Sequence, residues 1–316
     1  VSERGRKQKK KGRRGLKIFF GIVFVVLFIA FGYAYSVYSN VKKATEDIYT
    51  PIETEVVRDS SVELDQKHPI SILLLGVDTG DLGRTEQGRS DSMMVATINP
   101  DTKKTTLLSI PRDTYAEIVG NGTMDKINHA YAIGGTEMSI NSVQKLLNIP
   151  IDFYVTVNMA GIQEIVDAVG GVDVISPITF TADGYAFTEG ETVHLDGNTA
   201  LSFARMRQGD PEGDTGRQAR QRLVIEAVIK QLVTPNTLLN YQDILFSLSA
   251  NVKTNFQMDD YMALQNNDYL AAANNIQKDQ LAGIGSTEAD GIYYSFTDDA
   301  ELARVQALLR AELELD

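Results

Sequence analysis

The sequence predicts an α/β body with a central mixed β-sheet sandwiched by helices, behind a single N-terminal transmembrane helix. Three observations predict it. Short apolar runs alternate with helix-length segments, as in a sheet covered on both faces. No charged residue occurs from Ile18 to Val41. Charge is also divided: residues 1–17 hold nine Lys/Arg and one acid, a net of +8, so a whole-chain charge of -12 leaves -20 for the rest.

The N-terminal elements follow from that division. A bilayer core about 30 Å thick needs roughly 20 helical residues, and the span is placed at 18–38. Tyr33, Tyr35 and Tyr38 sit near its far end, where aromatic rings favour the interface. The basic tail, 1–17, is expected to stay cytoplasmic, which puts the body outside the cell. A cleaved signal peptide is the alternative, but "GYAYSVYSN" lacks its small-residue cleavage site. The tail also resembles a nucleic-acid patch. Beside a span, such a tail sets topology and binds anionic headgroups. Residues 39–68 are polar and read as an extracellular stalk, followed by the body at 69–316. The chain has no cysteine, which excludes disulfides, thiol nucleophiles and cysteine metal sites.

Along the body, "PISILLLGVD" reads as a buried strand ending on Asp78. "DSMMVATINPDTKKTTLLSIPRD" reads as two strands joined by a turn at Asn99-Pro100-Asp101. "KINHAYAIGGTEMSINSVQKLLN" is helical, interrupted at Gly134-Gly135. "IDFYVTVN" is a strand, "MAGIQEIVDAVGG" a glycine-closed helix and "GVDVISP" a strand. "DGNTALSFARMR" starts a short helix on an Asp, and "TGRQARQRLVIEAVIKQLV" is a long helix. The stretch 235–272 reads as mostly helical, and "DGIYYSFTDDAELARVQALLRAELE" as a strand and a final helix.

Chemistry concentrates in "ARMRQGDPEGDTGRQARQR", where Arg205, Arg207, Arg217, Arg220 and Arg222 accompany Asp210, Glu212 and Asp214. Asp214 or Thr215 can cap a helix starting near Gly216. Arg217, Arg220 and Gln221 then share one face of its first turns. A helix N-terminus carries about half a positive charge and disfavours cations. Converging arginines and free N–H groups there make an anion site. Surface pairing with the three acids is the alternative. Two further pairs, Arg89 with Asp91 and Arg112 with Asp113, stand at predicted strand ends near Asp78. Arginines beside carboxylates able to hold Mg²⁺ suit a phosphate or pyrophosphate. Among the histidines, His68 lies at the body's edge and His194 in a strand-like segment. His129 is the site candidate, with a hydrogen-bonded helix residue as the alternative. No metalloprotease, Gly-x-Ser-x-Gly or phosphate-loop signature is present.

Seven ordered motifs, "LLLGVD", "GRSDSMMVATINP", "LLSIPRDTY", "KINHAYAIGG", "IVDAVGGVDV", "HLDGNTALSFARMR" and "GDTGRQARQR", resemble the LytR-CpsA-Psr family of membrane-anchored cell-envelope enzymes. The resemblance is close over about residues 70–232. It implies transfer of a glycopolymer, of the wall teichoic acid or capsular polysaccharide class, with its phosphate. The donor is a polyprenyl-pyrophosphate lipid, the acceptor is peptidoglycan, and no nucleic acid takes part. It implies Mg²⁺, with Mn²⁺ an alternative, on Asp78 and Asp91. It implies a pyrophosphate clamp of Arg89, Arg112, Arg205, Arg207 and Arg217, with Arg220 and Gln221 at the same helix start and Lys126 within reach. Asp113 or Asp214 would position the acceptor hydroxyl or act as base. A lipid tunnel between sheet and helices would involve Phe203, Val224 and Val228, for which core packing is the alternative. Rival readings are a hydrolase of the lipid pyrophosphate at the same site, a lipid-binding scaffold without turnover, and a transcription factor. The acidic body opposes the last.

Overall fold

Side-chain alternation along the strands sorts the sheet residues between two helical layers. In the computed structural model the described residues are 39, 43, 46–52, 57–58, 62–78, 87–207, 209–232, 234, 251–289 and 291–315. The expected span at 18–38 and residues 235–250 lie outside them. Among the described residues no helix is long and apolar enough to cross a membrane.

The expected first strands are β1 (Ile70–Val77), β2 (Ser90–Asn99) and β3 (Lys104–Ser109). The β2–β3 turn forms because Asn99 Oδ1 accepts from the Asp101 and Thr102 amides, each at 3.0 Å. A hairpin that the motif reading passed over follows, β4 (Tyr115–Ile118) and β5 (Thr123–Lys126). Helix α1 (His129–Leu147) kinks at Gly134 and Gly135; Gly135 has φ +66, where a side chain would be strained. Then come β6 (Phe153–Asn158), α2 (Met159–Ala168), β7 (Val172–Ile175), the small hairpin β8 (Phe180–Ala182) and β9 (Tyr185–Phe187), and β10 (Thr192–Leu195). Helix α3 (Gly197–Arg205) opens on Asp196, whose side chain accepts from Thr199 N at 2.8 Å. Helix α4 is Asp214–Leu232.

The segment expected as mostly helical is so in its described part, 251–272, with one short strand added. It holds a strand, β11 (Val252–Thr254), ahead of α5 (Met258–Asn266) and α6 (Tyr269–Ala272). Next come β12 (Ile276–Gln280), the hairpin β13 (Ile284–Thr287) and β14 (Tyr293–Phe296), and α7 (Asp299–Glu312).

The central sheet has the order β11-β6-β1-β2-β3-β12. β6 is parallel to β1, β12 is parallel to β3, and β2 runs antiparallel to both β1 and β3. The carboxyl ends of β1, β3, β6 and β12 therefore share one edge, with the start of β2 among them. On one face Leu73, Leu75, Val95 and Leu108 meet Val143 and Leu147 of α1 and Val305 and Leu309 of α7. On the other, Ile70, Met94 and Leu107 pack with Phe256 and Tyr269, and a neighbouring cluster joins Val166, Phe187, Phe203, Val224 and Val252. Each such side chain contributes about 1.5–3 kcal/mol by leaving water. The expected mixed sheet between helices is what the chain forms.

Residues Ala44–Asp316 make one compact unit. Part of the segment read as a stalk is built into it. Ile48 is buried, Thr50 N donates to Thr254 O at 2.7 Å, and Arg58 Nε lies 2.9 Å from Asp152 Oδ1. Burial pushes the Asp152 carboxyl up, against the opposing pull of Arg58.

Candidate active site

The site starts where β1 hands over to β2. Asp78 Oδ1 accepts from Arg89 N at 2.6 Å, and Asp78 N donates to Arg89 O at 3.2 Å, so the two strand ends are clasped. Gly76 pairs with Ser92 but Val77 with Ser90, which leaves Asp91 as the extra residue of a β-bulge. A bulge re-aims the side chain it carries. Asp91 Oδ1 lies 2.6 Å from Arg112 Nη1, just beyond β3, and its Oδ2 lies 3.9 Å from Arg217 Nη1 on α4. Arg112 Nε is 3.7 Å from Asp113 Oδ2, and Asp113 Oδ1 is 2.8 Å from Lys126 Nζ at the end of β5.

The start of β2, the loop after β3, the end of β5 and the distant helix α4 thus deliver a chain of alternating charge, Arg217–Asp91–Arg112–Asp113–Lys126, to the carboxyl edge of the sheet. Cations exceed carboxylates in it, and exposed Arg89 adds another next to Asp78. Such an edge suits an anion that brings more than one charge.

The remaining expected residues fall into separate places. Arg205 ends α3 and is exposed, as is Arg207 just after it. Helix α4 starts at Asp214, earlier than expected, so neither Asp214 nor Thr215 is the residue before its first turn. Gln221 is buried, and its Oε1 has no hydrogen-bond partner among the described residues.

Arg220 does not join the cluster. It is fully buried, with Nε donating to Phe203 O at 3.0 Å, Nη2 to Met206 O, and Nη1 paired with the Asp210 carboxylate. Its guanidinium also sits 5.2 Å from the Phe180 ring centroid. The expectation that Arg220 binds substrate is corrected by this geometry: it pins the loop after α3 to α4.

Asp210, a surface acid only in the alternative reading, is the residue whose role sequence reasoning missed. Its side chain is 2% exposed. The available signal was the turn it starts, where Glu212 N donates to Asp210 Oδ1 at 2.8 Å. His129 Nδ1 lies 2.7 Å from Asp125 Oδ2, beside but not within the charged chain. Burial alone would raise the Asp125 carboxyl, but bonds from His129 and the Lys126 amide together hold it below the usual range. His68 accepts from Glu63 N, and His194 pairs with Asp173 on the surface. Phe203 and Val224 are core residues and Val228 packs against them, between β6 and helices α2–α4.

As metal donors, Asp91 on the bulge and Asp78 at the adjoining strand end offer hard oxygens. No group of three metal-ligating side chains occurs among the described residues. Two carboxylates are a donor set that fits Mg²⁺, which takes one or two carboxylates and completes its shell with substrate oxygens and water.

Comparison with known proteins places this geometry among relatives. Residues 34–311 match the model of the LytR_cpsA_psr family. A protein of Enterococcus faecalis named polyisoprenyl-teichoic acid–peptidoglycan teichoic acid transferase TagU is 46% identical over 303 residues, 96% of this chain and 98% of that protein. A crystal structure from Enterococcus faecalis, described as a transcriptional regulator, superposes with a TM-score of 0.72 at 44% identity, covering 81% of this chain and 92% of that one. The structure of TagT bound to LIIa-WTA superposes with a TM-score of 0.69 at 29% identity, over 83% of this chain and 97% of that one.

Proposed function

The chain belongs to the LytR_cpsA_psr family, and from that premise we propose that it transfers teichoic acid from a polyisoprenyl carrier to peptidoglycan. The observation that carries this reading is the bulge residue Asp91, held between Arg112 and Arg217 at the carboxyl edge of the sheet. In the finer mechanism the carrier is a polyprenyl pyrophosphate. Arg112, Arg217, Arg89, Arg205, Arg207 and Lys126 bind its oxygens.

A peptidoglycan hydroxyl attacks the phosphorus that bears the polymer. The bond from that phosphorus to the bridging oxygen breaks, polyprenyl phosphate leaves, and the polymer is joined through a phosphodiester. The hydroxyl proton passes to a carboxylate, Asp113 or Asp214. The arginines stabilise the charge that gathers on the bridging and non-bridging oxygens as that bond breaks. A divalent cation bound by Asp78 and Asp91 would neutralise part of the pyrophosphate charge. The apolar cluster around Phe203, Val224 and Val228 is the place proposed for the lipid chain.

Residues 18–38 are proposed to anchor the protein in the cell membrane, with the body outside. A C-terminal reporter active only in the cytoplasm should then stay silent. The description of one relative as a transcriptional regulator finds no support in a body whose charge is strongly negative.

Transfer is tested by supplying purified full-length protein with lipid-linked teichoic acid, with and without peptidoglycan. Polymer should become bound to the glycan only when the acceptor is present. Release of free polymer phosphate at an equal rate without acceptor would make the protein a hydrolase. Asp91→Asn, or excess chelator on wild type, should abolish transfer, and full activity in either would remove the metal from the mechanism.

A further inference from the structure

We propose that Tyr294, on the C-terminal hairpin, is a positioning residue that holds Lys126 and Asp113 in their working geometry; this rests on the transfer reading above. Tyr294 is 168 residues away in sequence from Lys126. The Lys126 ammonium nevertheless lies 5.7 Å from the centroid of the Tyr294 ring while it holds Asp113 Oδ1 at 2.8 Å. A ring face attracts a cation at that range without taking any of its hydrogen bonds. The next residue reinforces the arrangement. Ser295 N donates to Asp113 O at 2.9 Å, and Ser295 forms an isolated bridge with Thr114. One strand, β14, thus fixes the backbone of Asp113 and the side chain of its partner.

The ring itself is held firmly. Tyr294 is 9% exposed, meets Tyr115 edge-on with centroids 5.2 Å apart, and Tyr115 is the cross-strand neighbour of Lys126. Phe296 packs on Tyr115 at 5.1 Å and completes the aromatic group. Without the ring, a flexible lysine stem loses a fixed resting place and samples other rotamers. Five arginines still hold the carrier's phosphates, so the displacement of Lys126, one cation of six, should appear mainly in turnover rather than in carrier binding.

The test uses the full chain and four variants. Tyr294→Leu should lower kcat for transfer by about three- to thirtyfold, the span of a partly desolvated cation–ring contact, with KM for the lipid carrier within about twofold. Tyr294→Phe keeps the ring and should keep at least half of the activity. Phe296→Leu, which loosens the same packing without touching Lys126, should lower the melting temperature and spare turnover per folded molecule. Lys126→Met should lower kcat itself, and Tyr294→Leu added to it should cost nothing further. Additive losses, equal loss in Tyr294→Phe, or unchanged kcat in Tyr294→Leu would each overturn the proposal. If Tyr294→Leu fails to fold, the comparison of Tyr294→Phe and Phe296→Leu with Lys126→Met still decides it. Wild type that does not transfer at all would instead sink the transfer reading, a result distinct from any of these.

Discussion

Arg217 and Arg220 lie one turn apart on α4, are both buried, and each faces a carboxylate, yet they belong to different machinery. Arg220 is saturated by protein: two backbone carbonyls and the Asp210 carboxylate take its donors. Arg217 reaches across to the sheet, where its 3.9 Å approach to Asp91 is too long for a hydrogen bond. A closer anion can outcompete such a pair. The difference teaches that the same residue type at helical spacing is sorted by what the preceding loop does. The loop after α3 folds back over Arg220 and leaves Arg217 at the edge where β1 and β3 end and β2 begins.

The largest effect that would break this contrast is on stability. Arg220→Ala should destabilise by about 3–5 kcal/mol, since it strands the Asp210 carboxylate in the interior. Denaturant unfolding measures this; a change under about 1 kcal/mol would mean the cluster around Arg220 is not the lock described. Next in size is Gly216→Ala. A Cβ there would collide with the Asp210 carboxylate, which is buried and tethered and has no room to retreat. The expected cost is about 1–3 kcal/mol, read by the same unfolding curves, with an unchanged midpoint as the contrary result.

A smaller effect separates both clusters from an ordinary surface network. The Arg304 guanidinium beside Glu301 holds that carboxyl down at about 2, against an ordinary 4.5, and Asp279 is lowered by the same arginine. A lowered folded-state value means the contribution is present above the unfolded value and is lost as pH falls from about 4.5 towards 2. Glu301→Gln should therefore flatten the acid limb of stability in that window, by less than about 1 kcal/mol because Arg304 is solvated. Melting temperature against pH shows it, and parallel curves for variant and wild type would contradict it.

Much of the fold was legible because periodicity reports burial. β1, β2, β3 and β6 are apolar runs, and α2 and α3 carry their own closing glycine or capping Asp. The strands that escaped notice have physical reasons to be quiet. β12, with the sequence IQKDQ, is one of the two edge strands of the sheet and needs no second apolar face. The β4–β5 hairpin carried an Asn121-Gly122 turn signal that was there to be read. β11 has three residues and follows a stretch without strong pattern.

In the site, the arginine and carboxylate types at strand ends were readable, and the structure brings Asp91, Arg112, Asp113, Lys126 and Arg217 together. The bulge that aims Asp91 was not readable, because one extra residue leaves no mark on composition. Nor was the burial of Arg220 and Asp210, which depends on how a loop closes. Tyr294 lay beyond any local pattern, since its partners are on a hairpin more than half the chain away.

The central claim is that the sheet edge around Asp91 is a pyrophosphate clamp and not an ion-pair network that only stabilises. It is tested most directly by measuring teichoic acid transfer per folded molecule in Arg217→Ala. A charge-assisted contact to phosphate contributes about 1.5–3 kcal/mol, so the rate should fall about ten- to a hundredfold. The melting temperature should stay near that of wild type, because Asp91 keeps its 2.6 Å contact with Arg112. Transfer at the wild-type rate per folded molecule, with a large loss of stability, would contradict the account.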